Sequence, residues 1–101
     1  MMAKDMRRIG EMRNLGPMVE ADFLAIGVKY AYQLKDLGVE KAFLQMLEGR
    51  VKNNKPVRSI NAIYLYALHG AIHNLDWRAI PDKQKRAYKK MTHVLRNSGL
   101  Y

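Results

Sequence analysis

The sequence predicts an all-α fold, a compact domain of five to six short helices. Apolar residues recur every three to four positions along nearly the whole chain, and no segment shows the sustained alternation bounded by hairpin turns that is typical of strands. Glycines 16, 27 and 38 stand at the corners between these segments. The length of 101 residues is that of one domain with a modest core, so we expect a single domain over residues 1–101.

The first half of the chain predicts four helices, and glycine or proline marks most of their ends. They span about residues 2–12, 17–26, 29–37 and 39–50. Pro17 suits the first position of a helix, where the N–H that it lacks would be unpaired in any case. Gly27 is expected to end the second helix because glycine adopts positive φ without a steric cost, and the hydrophobic Val28 completes such a cap. Gly38 and Gly49 are expected to end the next two helices.

The second half predicts a central helix followed by a basic helix. Ser59 is a suitable N-cap for the central helix, whose residues form a wide apolar face. This face comprises Ile60, Ile63, Tyr64, Ala67, Leu68, Ala71, Ile72 and Leu75. The last helix is expected at about residues 82–97, starting at Pro81 or Asp82. Its inward-facing residues are expected to be Tyr88, Met91, Val94 and Leu95.

Positive charge dominates the composition. Eighteen Lys and Arg against nine Asp and Glu give a net charge of +9 and a pI near 10.0, which favours anionic partners such as nucleic acid or a lipid surface. The excess is concentrated in the loop at residues 50–58 and on the last helix, where like charges stand four residues apart. We expect these groups to face phosphates: Lys52, Lys55, Arg58, Lys85, Arg86, Lys89 and Lys90. A solvated basic face without a ligand is the alternative.

Other function classes find little support in the sequence. The chain has no cysteine, and its N-terminal residues carry charges instead of the apolar run of a signal peptide or a membrane anchor. No Ser/His/Asp order, buried carboxylate pair or P-loop is recognisable, so we expect neither an enzyme nor a cofactor or small-molecule substrate. His69 and His73 stand four residues apart with Asp76 beyond them, but two histidines are a weak signal, and no metal site is expected.

Two stretches carry a family resemblance. RNLGPMVEADFLAIGVKYAYQLKDLGVEKAF at residues 13–43 and SINAIYLYALHGAIHNLDWRAIP at residues 59–81 resemble the C-terminal domain of the TfoX/Sxy family, bacterial regulators associated with natural competence. The resemblance spans about residues 13–88. It implies a helical domain related to helix-hairpin-helix folds, a cytoplasmic protein and a role in regulating gene expression. The α/β domain that commonly precedes it in the family is not recognisable here, and activity residing there is not carried over.

The first corner is the best candidate for a phosphate-binding loop. In helix-hairpin-helix proteins a glycine-hydrophobic-glycine loop and the next helix N-terminus hold a DNA phosphate through backbone amides. The matching residues are Asn14, Leu15 and Gly16, and Asn adopts the left-handed conformation almost as readily as glycine. Arg13 would add a charge. A tight corner between helices, without any ligand, explains the same residues.

Aromatic residues leave two functions open. Tyr64 and Trp77 are expected in the core, whereas Tyr30, Tyr32 and Tyr66, if exposed, would support a protein interface at least as well as base stacking. The first hypothesis is a regulatory module that associates with DNA phosphates with little sequence specificity. The alternative is a module that docks on another regulatory protein or on itself without touching DNA. No membrane partner is expected.

Overall fold

A computed structural model describes residues 4–57 and 60–101 of the chain. Within these residues the regular structure is helical apart from one isolated bridge between Arg8 and Tyr30, which confirms the predicted all-α class. The α-helices are α1 (Pro17–Leu24), α2 (Ala31–Leu37), α3 (Val39–Lys52), α4 (Ala62–His73) and α5 (Asp82–Arg96). Two 3-10 turns, Ile9–Glu11 and Trp77–Ala79, precede α1 and α5. None of the described helices combines the length and the apolarity needed to cross a membrane.

The core forms around α4, which packs against α2, α3, α5 and the second 3-10 turn. Leu65 and Leu68 of α4 are fully buried, and the ring of Tyr64 meets the edge of Phe43 on α3 at 5.6 Å between centroids. The predicted apolar stripe of α3 is buried as a whole: Val39, Phe43, Met46 and Leu47. The amphipathic pattern of α3 therefore identified the side that packs on the central helix.

The corner after α1 is a Schellman cap, as predicted. Gly27 has φ +81°, its N–H donates to the Leu24 carbonyl at 3.1 Å, and the Val28 N–H donates to the Phe23 carbonyl at 2.9 Å. The Val28 side chain is buried. Gly38 also has positive φ, +80°, between α2 and α3. These glycines therefore have an architectural role at the helix ends.

The prediction of a first helix over residues 2–12 is wrong. Residues 1–3 lie outside the described residues. Among residues 4–16, helical structure is limited to the 3-10 turn Ile9–Glu11. The preceding backbone instead caps α2: the carbonyls of Asp5 and Arg7 accept the N–H groups of Tyr32 and Ala31 at 3.0 and 2.8 Å. Amides at the start of a helix have no partner inside it, so this long-range pairing favours an extended segment over a helix.

Two predicted helix boundaries also differ. Ser59 lies outside the described residues, and the N-cap of α4 is Asn61, whose side-chain oxygen accepts the Tyr64 N–H at 3.2 Å. Gly49 does not end α3, which continues to Lys52. Gly49 is instead buried where α3 crosses the end of α1, and a Cβ there would collide with Cγ2 of Ile26. Its small size serves close packing.

The predicted buried faces of α4 and α5 are largely confirmed, with one exception on each helix. Ile63 is 67% exposed and Val94 is 57% exposed, although both were expected in the core. On α5 the predicted Tyr88 is buried, and Thr92 is buried in addition; its hydroxyl donates to the Lys89 carbonyl at 3.0 Å. A polar residue with a local hydrogen bond can occupy a core position, so hydrophobicity alone did not identify Thr92 as part of the buried face.

Candidate nucleic-acid interface

One side of α5 is covered by cations that we call the α5 basic surface. It consists of Lys83, Lys85, Arg86, Lys89 and Lys90. Tyr88 and Thr92 are the buried residues on the opposite side. Asp82 is the one acidic residue of the helix, and none of the five cations forms an ion pair with a described residue. The surface therefore keeps its charge available for an external anion.

Contacts along α5 show that it runs antiparallel to α4. Near its middle, the Tyr88 hydroxyl lies 2.7 Å from Nδ1 of His69, and at its end the Arg96 guanidinium donates to the Ile60 carbonyl at 2.8 Å. The first turns of α5, which carry Lys85, therefore lie beside the C-terminal half of α4.

The predicted phosphate corner adopts the expected backbone shape. Asn14 has φ +70°, in the left-handed region, and Gly16 precedes α1 with extended backbone. Leu15 is buried, and Arg13 is exposed. The Asn14 side-chain amide donates to the Leu75 carbonyl at 3.0 Å, which fixes the corner at the C-terminal end of α4, next to the turn that leads into α5.

Nearby carboxylates reduce the positive potential at this corner. Glu20 of α1 accepts the Gly10 N–H at 2.8 Å and pairs with Arg8 at 2.9 Å. The pKa of Asp76 is lowered, mainly by hydrogen bonds from Arg78. The positive charge of Arg13 makes a smaller contribution to the same shift, which shows that Asp76 lies near Arg13. The Leu15 N–H at the corner already donates to the Met12 carbonyl at 3.1 Å, and the charges around the corner are more balanced than those of α5.

The predicted basic loop is divided by the structure. Arg50 belongs to α3, and its guanidinium donates to Asp22 at 2.8 Å and to the Pro56 carbonyl at 2.9 Å. The Tyr64 hydroxyl donates to the same carboxylate at 2.9 Å, and burial is the main cause that raises the pKa of Tyr64. Arg50 is thus committed to a buried network.

The remaining loop cations lie toward the other end of α4. Lys52, the last residue of α3, and Lys55 are exposed, whereas Arg58 lies outside the described residues. Because the Arg50 network joins this end of α3 to the first turn of α4, Lys52 lies near the start of α4, and the Asn14 corner lies at its end. The sequence-predicted cations therefore do not form one cluster.

The aromatic residues also differ from expectation. Trp77 was expected in the core but is 42% exposed. Tyr66 was proposed as an interface residue if it were exposed, but it is buried. The two rings stack within 7° of parallel at 6.5 Å between centroids. Tyr30 and Tyr32 are partly buried and form a second stack at 6.2 Å.

Comparison with known proteins places these features in a family. The sequence model of the TfoX C-terminal domain matches residues 5–92. The chain belongs to the TfoX C-terminal domain family. This finding confirms the resemblance seen in the sequence and extends it on both sides. No curated protein matches the sequence.

Two crystal structures of Listeria monocytogenes proteins resemble this TfoX C-terminal domain closely. One is an uncharacterized protein in a triclinic form, 30% identical, with a TM-score of 0.76 over 90% of this chain and 96% of that chain. The other is a protein of unknown function in a tetragonal form, 31% identical, with a TM-score of 0.72 over 86% of this chain and 98% of that chain. They support the fold and assign no activity.

The TfoX-type corner differs from the hairpin that the resemblance implied. A helix-hairpin-helix loop stands between two helices, but here the 3-10 turn Ile9–Glu11 precedes the Asn14 corner. Backbone groups at the corner are therefore oriented by α1 and by the Asn14 contact to α4. Because of this departure, the α5 basic surface is a stronger candidate for phosphate binding than the Asn14 corner.

The histidines of α4 line a shallow cleft of about 380 Å³ with Gln84 and Tyr88 of α5. Their ring centroids lie 4.4 Å apart, and the pKa of His69 is lowered by burial and, secondarily, by His73. Burial raises the pKa of Tyr88 to about 12. Among residues 4–57 and 60–101, no group of three or more potential metal ligands forms around this pair or elsewhere.

The set of site residues predicted from the sequence left out two exposed residues, one on α5 and one in the turn before it. Lys83 was left out of the predicted set, although its spacing of three and seven residues from Arg86 and Lys90 places all three on one helical face. Trp77 was assigned to the core because large aromatic residues usually pack there. Its position in a short turn between Asp76 and Pro81, outside any apolar stripe, was the signal available against that assignment.

Proposed function

We propose that this chain is a non-catalytic regulatory module of the bacterial cytoplasm that associates with DNA through backbone phosphates. The observation that carries the proposal is the α5 basic surface, where five cations within eight residues lack a described carboxylate partner. Lys and Arg that neutralise phosphates release condensed counterions, which drives binding without base readout. Low sequence specificity and a steep salt dependence follow from such contacts.

The Asn14 corner supports a second phosphate contact. Its left-handed residue and the N-terminus of α1 suit an anion, and Arg13 adds a charge beside them. Lys52 and Lys55 would meet the backbone farther along, because they lie toward the opposite end of α4. Arg58, which lies outside the described residues, belongs to the proposed set on its charge and its place in the sequence. The α5 basic surface would then supply the main contacts between these two places.

The direct test is a titration of a short fluorescein-labelled duplex, followed by anisotropy at several salt concentrations. We expect the double variant Lys89→Glu/Lys90→Glu to bind much more weakly and to reduce the magnitude of the slope of log K against log salt by about 2. The matched control is Lys4→Glu/Lys29→Glu, which makes the same change in net charge beside Tyr32 and Tyr30. No binding of the wild type at low salt would refute the proposal, as would equal losses in both double variants.

A second candidate is a protein-interaction module, favoured by one apolar groove between α1 and α4. Met18 is 64% exposed and Ile63 is 67% exposed, and together with Val19, Tyr64 and Ala67 they line a groove of about 220 Å³. We would test self-association first, by sedimentation over a range of concentrations. A dimer that Ile63→Ser dissociates, in a protein that does not bind duplex, would favour this candidate; a monomer throughout would remove its self-associating form.

A further inference from the structure

The turn between α4 and α5 presents an exposed tryptophan. Trp77 begins the 3-10 turn Trp77–Ala79, and Ile80, immediately after it, is buried and anchors the turn to the core. Asp76 caps the turn by accepting the Arg78 backbone N–H at 2.9 Å and its guanidinium at 3.0 Å. The position of the Trp77 ring is thus set by a well-bonded turn, although much of the ring faces solvent.

A buried tyrosine supports the exposed ring. Tyr66 stacks on Trp77, and its hydroxyl donates to the Lys85 carbonyl at 3.4 Å. The other neighbour of Tyr66 is the ring of Tyr88, 6.2 Å away between centroids. Because Tyr66 is held by α5 on two sides, Trp77 rests on a rigid surface. A flat ring that is already in place loses little conformational freedom when it binds another planar group.

Cations of the α5 basic surface lie directly beside this platform. The Lys85 ammonium is 6.0 Å from the centroid of the Trp77 ring and 5.9 Å from that of Tyr66, the outer limit of a cation–π contact. Lys89 follows one helical turn later and extends the row. An aromatic surface next to a row of cations suits a single strand, whose bases stack on the ring while its phosphates meet the cations.

We infer that Trp77, Lys85 and Lys89 form a binding site for single-stranded nucleic acid, with an unpaired base stacked on Trp77 and the flanking phosphates on the two lysines. The inference rests on the proposed function for its phosphate contacts. It adds a preference for unpaired bases, which backbone contact with a duplex does not predict. The bases of a duplex are stacked on one another, so a solvent-exposed tryptophan contributes little to phosphate binding there.

The sequence contains one tryptophan, so fluorescence excited at the red edge of tryptophan absorption, where the six tyrosines absorb little, reports on Trp77. We would titrate the protein with oligothymidylate, with an abasic strand of the same length, and with a duplex hairpin of equal charge. Oligothymidylate is expected to quench the fluorescence in a saturable way and the abasic strand is not. A parallel comparison of oligodeoxyuridylate with oligouridylate, which differ only in the sugar, distinguishes DNA from RNA: quenching by either strand supports the inference, and the tighter one identifies the preferred sugar.

Variants separate stacking from charge. Trp77→Ala should weaken oligothymidylate binding, measured by anisotropy of a labelled strand, about 5- to 150-fold, and should leave the abasic strand unaffected. Trp77→Phe should recover part of the loss because a smaller ring still stacks. Val94→Ala, which truncates an exposed apolar side chain on α5, is the matched control and should change neither affinity. Circular dichroism checks that each variant is folded.

The inference and the proposed function fail in different ways. If the oligothymidylate and the abasic strand bind equally and the fluorescence of Trp77 does not change, the stacking site is refuted while phosphate binding stands. If no strand or duplex binds at low salt, both are refuted. If Trp77→Ala weakens oligothymidylate and abasic binding by the same factor, the residue acts through the shape of α5, and the stacking site is again refuted.

Discussion

Two regions of the molecule stack a pair of aromatic rings beside lysines, and the charge around the two pairs differs. In the N-terminal region Tyr30 and Tyr32 stack at 6.2 Å, with Lys29 and Lys4 over their rings at 5.3 and 4.8 Å. Acids neutralise several of the cations there. The ion pairs are Asp5 with Arg7 and Lys35, and Arg8 with Glu20. Lys4 and Lys29 form no ion pair with a described residue, so the charge of this region is neutralised in part.

The pair of Tyr66 and Trp77 has a similar stacking geometry, but the charges around it differ. Its nearest cation, Lys85, belongs to a helix with six Lys and Arg and one acid, and none of the α5 basic surface cations has a described carboxylate partner. Aromatic residues beside lysines are thus common to a structural and a candidate functional region. The share of paired cations distinguishes the two: three cations of the N-terminal region are paired with acids, whereas none of the five cations of the α5 basic surface is, and unpaired cations remain available to a ligand.

The largest expected effect concerns a cation that is fully committed to the fold. Arg50→Ala should lower the free energy of unfolding by about 3–5 kcal/mol, because it leaves the Asp22 carboxylate buried without its ionic partner. Chemical denaturation measures the change. Lys52→Ala, two residues later and exposed, is the control and should alter stability by less than about 0.5 kcal/mol. Similar effects of the two substitutions would contradict the distinction between cations that are paired in the fold and cations that are exposed to solvent.

Gly70 of α4 lies against the side chain of Asn14. A Cβ on this residue would collide with the Asn14 side chain and approach the Leu75 carbonyl to 2.6 Å, so Gly70→Ala should destabilise the protein by about 1–3 kcal/mol through overpacking. Thermal unfolding tests this. Adding Asn14→Gly, which removes the colliding side chain, should restore part of the loss; no recovery would mean that the corner does not rest on α4 in this way.

Acid should weaken the N-terminal region through Asp5. Hydrogen bonds from Arg7 and then Lys35 lower the pKa of Asp5 below its ordinary value near 3.9. A lowered folded-state pKa stabilises the protein above about pH 4, and this contribution is lost as the pH falls further. Asp5→Asn should therefore cost up to about 1 kcal/mol at pH 7, and the difference from the wild type should shrink between pH 4 and pH 2. A constant difference across that range would contradict the assignment.

The smallest expected effect has the opposite sign. Lys89→Glu places an acid four residues after Lys85 and removes a like-charge neighbour, so it should stabilise α5 by about 0.2–0.5 kcal/mol while weakening nucleic-acid binding. Denaturation and anisotropy on the same sample measure the two quantities. If Lys89→Glu lowers stability as well as binding, Lys89 has a structural partner, and α5 then carries paired cations as the N-terminal region does.

The sequence was sufficient where structure is determined locally. Gly27 and Gly38 define helix ends through their own backbone conformation, and the stripe of α3 has a clear helical period. The error over residues 2–12 arose because those backbone groups pair with Tyr32 and Ala31, far along the chain. Helical periodicity detects no such pairing.

The candidate site was only partly predictable for the same reason. The cation spacing on α5 identified its charge and most of its buried side, but not the burial of Thr92, because a polar side chain gives no such indication in the sequence. Arg50 looked like a loop cation because its partner, Asp22, stands 28 residues earlier. The exposure of Trp77 follows from how the turn at Asp76 joins α4 to α5, which is a property of the assembled fold.

Chemical-shift mapping tests the difference between the two aromatic regions most directly. Titration of the ¹⁵N-labelled protein with oligothymidylate at low salt should shift the single indole N–H of Trp77 and the amides of the α5 basic surface, and leave the amides of Tyr30 and Tyr32 in place. Added salt should reverse the shifts. Shifts centred on Tyr30 and Tyr32, or none at any strand concentration, would contradict the central claim that the unpaired cations of α5 are the binding surface.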